Sequence, residues 1–285
     1  MELQIAEPHG MCSGVARALR MADETLRAHP GEPLWCFHEI VHNAHVVEGL
    51  RARGVHFVNE ISAVPPRSRL LFSAHGVSPS IRAEAAAREL EVVDATCPFV
   101  AKVHAEARAF AAAGLPVALV GHKGHDEVVG IVGEAPAAIH VIETPEDVAA
   151  FAAALPTQAE VALLSQTTVS GEMFDARLAE LTAAGLRLQL PNHKDICYAT
   201  QERQEAVRTL AEKVDFLIVL GSRTSSNSKR LVEVAQTVGC AAALIDSPDA
   251  LDALPLAGYQ RLGLTSGAST PEELLTETAR RLRVR

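Results

Sequence analysis

The feature that most constrains this chain is an alternation. Repeatedly, a short apolar run is followed by a polar or glycine-bearing turn and then by residues at helical spacing. Apolar runs fall at 3–6, 34–37, 70–73, 92–93, 117–120, 140–142, 161–165, 186–190, 216–220, 242–245 and 262–265. Helical patterns fill the intervals at 14–28, 43–53, 80–90, 99–113, 128–133, 145–154, 171–184, 200–213, 226–238 and 271–283. The run at 117–120 is apolar throughout, as a parallel strand covered on both faces must be. Repeated strand–helix–strand units imply right-handed crossovers. Composition agrees. Apolar residues make up 48% but aromatics only 4%, so the core is built from Ala, Val, Leu and Ile. That suits helices on parallel sheets better than a β-sandwich. The expected fold class is α/β.

At 285 residues the chain has room for two or three small domains or one large one. Local echoes divide it. Leu70-Leu71-Phe72-Ser73-Ala74-His75-Gly76, the run 117–122 and the run 216–222 are each an apolar strand followed by a polar or glycine-containing turn. Asp94-Ala95-Thr96-Cys97-Pro98 echoes Asp195-Ile196-Cys197-Tyr198-Ala199-Thr200, an acidic residue before a cysteine that opens a helix. Those cysteines are about 100 residues apart, and Cys12 lies about 85 before Cys97. Three similar α/β lobes follow, with mainly parallel sheets, one cysteine each, and boundaries at 1–97, 98–195 and 196–285. No linker rich in Pro, Gly or Ser separates them, so close packing is expected.

Charge and cysteine usage narrow the function. Lys plus Arg is 26 against 35 for Asp plus Glu, a net charge of −9, which argues against a general nucleic-acid binder. No apolar run approaches the roughly 18 residues that span a bilayer. The N-terminus lacks the basic and apolar regions of a signal peptide. A soluble, cytoplasmic protein is expected. Five cysteines without ribbon or thioredoxin spacing make no disulfide framework. Cys36 and Cys240 sit in apolar surroundings and read as small buried hydrophobes.

Polar residues cluster where the strands end, which is where open α/β sheets bind ligands. Gly121-His122-Lys123-Gly124-His125-Asp126-Glu127 follows the strand at 117–120. Its histidines and carboxylate suit a metal, an anion or proton transfer, and they equally suit a solvated loop. Cys12, in Pro8-His9-Gly10-Met11-Cys12-Ser13-Gly14, sits at a strand-to-helix turn, and Cys97 and Cys197 sit at helix starts. The helix dipole favours a thiolate there. One thiolate per lobe fits a central iron–sulfur cluster with one iron left open, although helix-start cysteines also simply pack. Gly221-Ser222-Arg223-Thr224-Ser225-Ser226-Asn227-Ser228 and Thr265-Ser266-Gly267-Ala268-Ser269-Thr270-Pro271 each join a strand to a helix. Their hydroxyls and helix-start amides suit phosphates. N-capping explains one such residue per helix but not four in a row. Pro271 is expected at the first helical position. His42 and His75 also lie at strand ends. Neither a Walker A nor a dinucleotide glycine pattern is present.

With these motifs in view, the chain resembles the LytB family of hydroxymethylbutenyl diphosphate reductases. The motifs are 8–15, 39–43, 72–77, 94–98, 121–127, 165–168, 195–200, 221–227 and 267–269, in the family's order and spacing from residue 8 to the last helix. The resemblance implies the last step of the non-mevalonate isoprenoid pathway. The allylic hydroxyl of 4-hydroxy-3-methylbut-2-enyl diphosphate is removed with two electrons and two protons, giving isopentenyl and dimethylallyl diphosphate. It implies lobes in pseudo-threefold arrangement around a 4Fe-4S cluster held by Cys12, Cys97 and Cys197. Its open iron site would face the substrate hydroxyl. Diphosphate contacts fall on His42, His75, His125, Ser225, Ser226, Asn227 and Ser269. The proton-delivering carboxylate falls on Glu127, and Thr167 contacts the substrate hydroxyl. Electrons come from a ferredoxin or flavodoxin.

Three positions depart from the family pattern. His9 stands where Arg is commoner, Met11 where an aromatic is, and Asp126 where Pro often is. A charge at Asp126 is expected to raise the proton affinity of Glu127. His122 is expected to support the site from behind. The competing reading is a zinc phosphate-ester hydrolase using His122, His125 and Glu127. A third, an iron–sulfur sensor, predicts a basic patch and a DNA-binding element that the sequence does not clearly show.

Overall fold

The computed structural model describes residues 2–284. In chain order its elements are β1 (Glu2–Ile5), α1 (Ser13–Ala28), β2 (Leu34–Phe37), α2 (Ala44–Arg51), β3 (Val55–Val58), β4 (Arg69–Phe72), α3 (Pro79–Ala87), β5 (Glu91–Asp94), α4 (Pro98–Ala112), β6 (Val117–Val120) and α5 (Asp126–Val132). They continue as β7 (Ile139–Ile142), α6 (Pro145–Ala153), β8 (Glu160–Ser165), α7 (Gly171–Ala183), β9 (Arg187–Gln189), α8 (Tyr198–Ala211), β10 (Phe216–Leu220), α9 (Ser226–Thr237), β11 (Ala241–Ile245), β12 (Arg261–Ser266) and α10 (Glu272–Arg283). No helix among the described residues is long and apolar enough to cross a membrane.

The strands form three four-stranded sheets, ordered β3-β2-β4-β5, β7-β6-β8-β9 and β11-β10-β12-β1. Every pair is parallel. The chain is therefore built of three α/β lobes with one shared strand order. The repeat is shifted from the sequence expectation. It is β2, not β4 with its Leu70 and Leu71, that matches β6 and β10. The shift arises because β3 was not expected. Val55-His56-Phe57-Val58 is a half-wet edge strand, and its polar His breaks the apolar run. The N-terminal strand β1 supplies the outer strand of the third sheet, where Glu2 to Ile5 pair with Arg261 to Leu264.

Contacts divide the chain into two compact units. One comprises Met1–Ala16, Val41–Ala52 and Tyr198–Arg285, and holds the third sheet. The other comprises Arg17–Ile40 and Arg53–Cys197, and holds the first two. Within the second unit, β6 is buried throughout. Val117 and Leu119 pack against Val103, Ala107 and Ile131, whereas Ala118 and Val120 pack against Val148, Phe151 and Leu181. An apolar strand with helices on both faces loses water from every side chain, each Val or Leu burial contributing about 1.5–3 kcal/mol. In the first unit β10 is covered the same way. Leu217 and Val219 meet Val207 and Leu231, while Phe216, Ile218 and Leu220 meet Leu275 and Leu282. Cys36 and Cys240 are buried. Burial drives the Cys36 thiol far above its ordinary pKa, which makes it inert.

Candidate active site

The shared strand order puts equivalent residues at equivalent turns. Each remaining cysteine follows the outer strand of a sheet and opens a helix. Cys12 follows β1, Cys97 caps α4 after β5, and Cys197 precedes α8 after β9. All three amides are held in the same way, by a carbonyl just beyond the third strand of the sheet. The Cys12 N–H donates to Ala268 O at 3.0 Å, Cys97 to Ala74 O at 3.0 Å, and Cys197 to Thr167 O at 3.1 Å. The three thiols are reduced and part-exposed, unlike Cys36 and Cys240. Soft sulfur donors at helix N-termini are a chemically suitable set for an iron–sulfur group, so the residues fit one.

In the unit built on the first two sheets, the turn after β6 leads into α5. His125 caps that helix, its Nδ1 accepting the Glu127 N–H at 3.2 Å. The Glu127 carboxyl is 1% exposed. Its Oε1 accepts the Thr167 N–H at 2.6 Å and its Oε2 the Thr167 hydroxyl at 3.0 Å. Burial pushes its pKa up to about 7, and the nearby Asp195 charge adds to the rise, against the two Thr167 hydrogen bonds. Near neutral pH this carboxyl therefore exists in both protonation states. The His75 and His125 rings stand edge to face, 5.6 Å apart.

Asp195 is close enough to Glu127 for its charge to be felt there. It accepts the Ser165 N–H at 3.0 Å and the Lys102 ammonium at 2.8 Å. Burial raises it to about 6 despite Lys102. Gln166 is fully buried, accepts the His122 N–H at 3.0 Å and donates to Thr168 Oγ1 at 2.9 Å. The sequence alone does not single out Lys102 or Gln166, and it shows Asp195 as part of a repeat and of the motif 195–200 without a role of its own. The signal it had was the acid-before-cysteine echo.

The zinc reading does not survive the geometry. His122 Nδ1 pairs with Glu143 Oε1 at 3.0 Å, and Glu143 also accepts the Lys123 N–H at 3.0 Å. Glu127 faces Thr167 instead. Among the described residues, His122, His125 and Glu127 do not bring ligand atoms together. His122 braces the loop.

The unit built on the third sheet has a different chemistry. Ser225 caps α9, its hydroxyl accepting the Ser228 N–H at 3.2 Å. Ser226 and Asn227 begin the helix and are buried. Asn227 is 4% exposed, yet among the described residues neither of its side-chain amide atoms has a hydrogen-bond partner, and the hydroxyls of Ser228 and Thr265 have none either. A Cβ at Gly221 or Gly267 would run into the Ser228 hydroxyl, so both turns require glycine. Unmet polar groups at a helix N-terminus, under two glycine turns, suit an incoming anion. Ser269 donates to His42 O at 3.2 Å, which puts these two beside each other. Pro271 is the residue before the helix, with Glu272 in the first helical position, one place later than expected. The reason is its ψ of 143°, which is extended.

A family model described as LytB protein matches residues 3–283. The chain belongs to the LytB family. It is 44% identical over 282 residues to 4-hydroxy-3-methylbut-2-enyl diphosphate reductase 2 of Burkholderia mallei, covering 99% of this chain and 86% of the relative. It is 45% identical over 282 residues to the reductase of Bordetella pertussis, with the same coverage. Among solved structures, the E-1-hydroxy-2-methyl-but-2-enyl-4-diphosphate reductase of Plasmodium falciparum matches with a TM-score of 0.92 and 35% identity, covering 99% of this chain and 87% of that one.

Two departures from the LytB pattern have structural accounts. Asp126 has a partner of its own. It pairs with His38 at 2.7 Å and so raises the pKa of that histidine, whereas the upward shift of Glu127 comes from burial and Asp195. His9 places Nδ1 2.8 Å from Ala6 O and Nε2 3.4 Å from Glu272. Nothing in the structure explains Met11.

Proposed function

We propose that this LytB chain removes the allylic hydroxyl of 4-hydroxy-3-methylbut-2-enyl diphosphate, yielding isopentenyl and dimethylallyl diphosphate in the cytoplasm. Cys12, Cys97 and Cys197 hold a 4Fe-4S cluster. When bound, the cluster supplies the two electrons, received from a ferredoxin or flavodoxin, and a Lewis-acidic iron.

The remaining work belongs to side chains. Hydroxide is a poor leaving group, so the departing oxygen needs a proton. Glu127 holds that proton, because burial keeps its carboxyl near half-protonated at neutral pH. Thr167 fixes both carboxyl oxygens, through its N–H and its hydroxyl, and so sets the direction of delivery. The α9 start binds diphosphate through Ser225, Ser226 and Asn227, with Ser269, His42, His75 and His125 as further contacts. Diphosphate binding orients the allyl end without taking part in bond breaking.

The observation that carries the reading is Glu127, a buried carboxyl whose burial pushes its pKa up to about 7 and whose two oxygens are both held by Thr167. The test is an anaerobic assay with this substrate and a chemical reductant. Both five-carbon diphosphates are expected; unchanged substrate with iron-loaded protein would contradict the proposal.

A further inference from the structure

Each of the three cysteine-opened helices carries a cation five or six residues beyond its cysteine. Each cation reaches the backbone just ahead of another cysteine. Arg17, after Cys12, donates from Nη1 to Thr96 O at 3.1 Å, the residue before Cys97. Lys102, after Cys97, donates to His193 O at 3.1 Å and to the Asp195 carboxylate at 2.8 Å, two residues before Cys197. Arg203, after Cys197, donates from Nη2 to Gly10 O at 2.7 Å and His9 O at 3.4 Å, two and three residues before Cys12. Each of these hydrogen bonds lies within one compact unit, those of Arg17 and Lys102 in the unit of the first two sheets and those of Arg203 in the unit of the third.

The charge of the two arginines points the same way, whereas Lys102 is paired with Glu106 at 2.9 Å as well as with Asp195. Arg203 is 5% exposed, and its partners are the carbonyls of Ala199, His9 and Gly10. Among the described residues no carboxylate pairs with Arg203 or with Arg17. A buried cation without an anion is costly, and thiolates holding an iron–sulfur group carry negative charge.

We propose that Arg17, Lys102 and Arg203 are positioning residues, each holding the segment that leads into another of the three cysteines. This rests on the reading that the three cysteines hold the cluster. Outer partners of metal ligands commonly change metal affinity by about 10–100-fold when removed.

The test uses Arg17→Met, Lys102→Met and Arg203→Met in the full chain, with Arg17→Lys and Lys102→Arg as conservative variants. The exposed Arg280→Met serves as a control. Amide hydrogen exchange of iron-free protein is read segment by segment. Arg17→Met should speed exchange at 94–97, Lys102→Met at 193–197 and Arg203→Met at 9–12, by roughly tenfold or more, as loss of a charge-assisted hydrogen bond implies. The segment beside the mutated helix's own cysteine should stay unchanged. In iron-loaded protein the same three variants should release iron to a chelator about 10–100-fold faster, and Arg17→Met and Arg203→Met should lower the cluster's midpoint potential. The conservative variants and Arg280→Met should behave as wild type. Faster exchange confined to the variant's own helix start, or wild-type exchange and iron release in all three, overturns the proposal. Wild-type protein that never holds iron overturns the cluster reading instead, and the exchange pattern still decides the straps.

Discussion

The turn after β6 and the turn after β10 occupy equivalent places in equivalent sheets, yet they are finished in opposite ways. After β6 the buried acids are partnered, although the fully buried Ser165 hydroxyl has no partner among the described residues. Glu127 is bound twice by Thr167, Asp195 by Ser165 and Lys102, and His122 by Glu143. After β10 the buried groups are left open, with Asn227, Ser228 and Thr265 unmet. A partnered buried acid holds a proton at a defined atom. An open cradle of amide and hydroxyl groups waits for an anion. One strand-and-helix template thus carries a twice-bound buried acid at one turn and unmet amide and hydroxyl groups at another, arrangements that suit proton chemistry and an anion respectively.

The sharpest way to break the comparison is Glu127→Gln. The amide keeps the shape and the Thr167 contacts but cannot deliver a proton. Turnover should fall by about 10²–10⁴-fold, as for loss of a general acid, with iron content unchanged. Near-normal kcat would remove Glu127 from the mechanism. The same change affects stability with a defined sign. The folded state takes up the Glu127 proton at higher pH than the unfolded chain, so wild-type stability should decline as pH rises from about 4.5 to about 7. That decline should be smaller in the variant, measured by urea unfolding of iron-free protein.

Asn227→Leu tests the open end. Removing a buried amide without partners relieves an unsatisfied group worth about 1–3 kcal/mol, so ligand-free protein should be as stable or more stable. Binding of the diphosphate substrate should weaken by about tenfold or more. A destabilised protein that binds diphosphate normally would show that Asn227 is structural.

The smallest effect is expected from Asp126→Asn. Because Asp126 pairs with His38, the variant should lower the His38 pKa, visible by NMR titration, and leave the pH profile of turnover in place. A moved profile would restore the direct influence on Glu127 that its position in the sequence suggests.

Much of this was legible in the sequence because its signals are local. Strand β6 is four consecutive apolar residues, and Cys97 stands directly before Pro98 at a helix start. What was not legible depends on partners distant in the chain. The Lys102–Asp195 bridge, the pairing of β1 with β12 and the unmet amide of Asn227 follow from tertiary placement, which no local pattern encodes. The strand β3 was missed for the opposite reason, since a half-exposed edge needs no continuous apolar run. The acid-before-cysteine echo was visible, but its use was not. Asp94 accepts the Thr96 N–H at 3.0 Å within its own turn, whereas Asp195 reaches across to Ser165 and Lys102.

The central claim is that buried Glu127, bound twice by Thr167, carries a proton near neutral pH. Infrared difference spectroscopy, wild type minus Glu127→Gln, reads the protonated carboxyl band of that residue directly as pH is varied. The account predicts a band that disappears with a midpoint of about 7. A midpoint near the ordinary glutamate value of about 4.3 would contradict it.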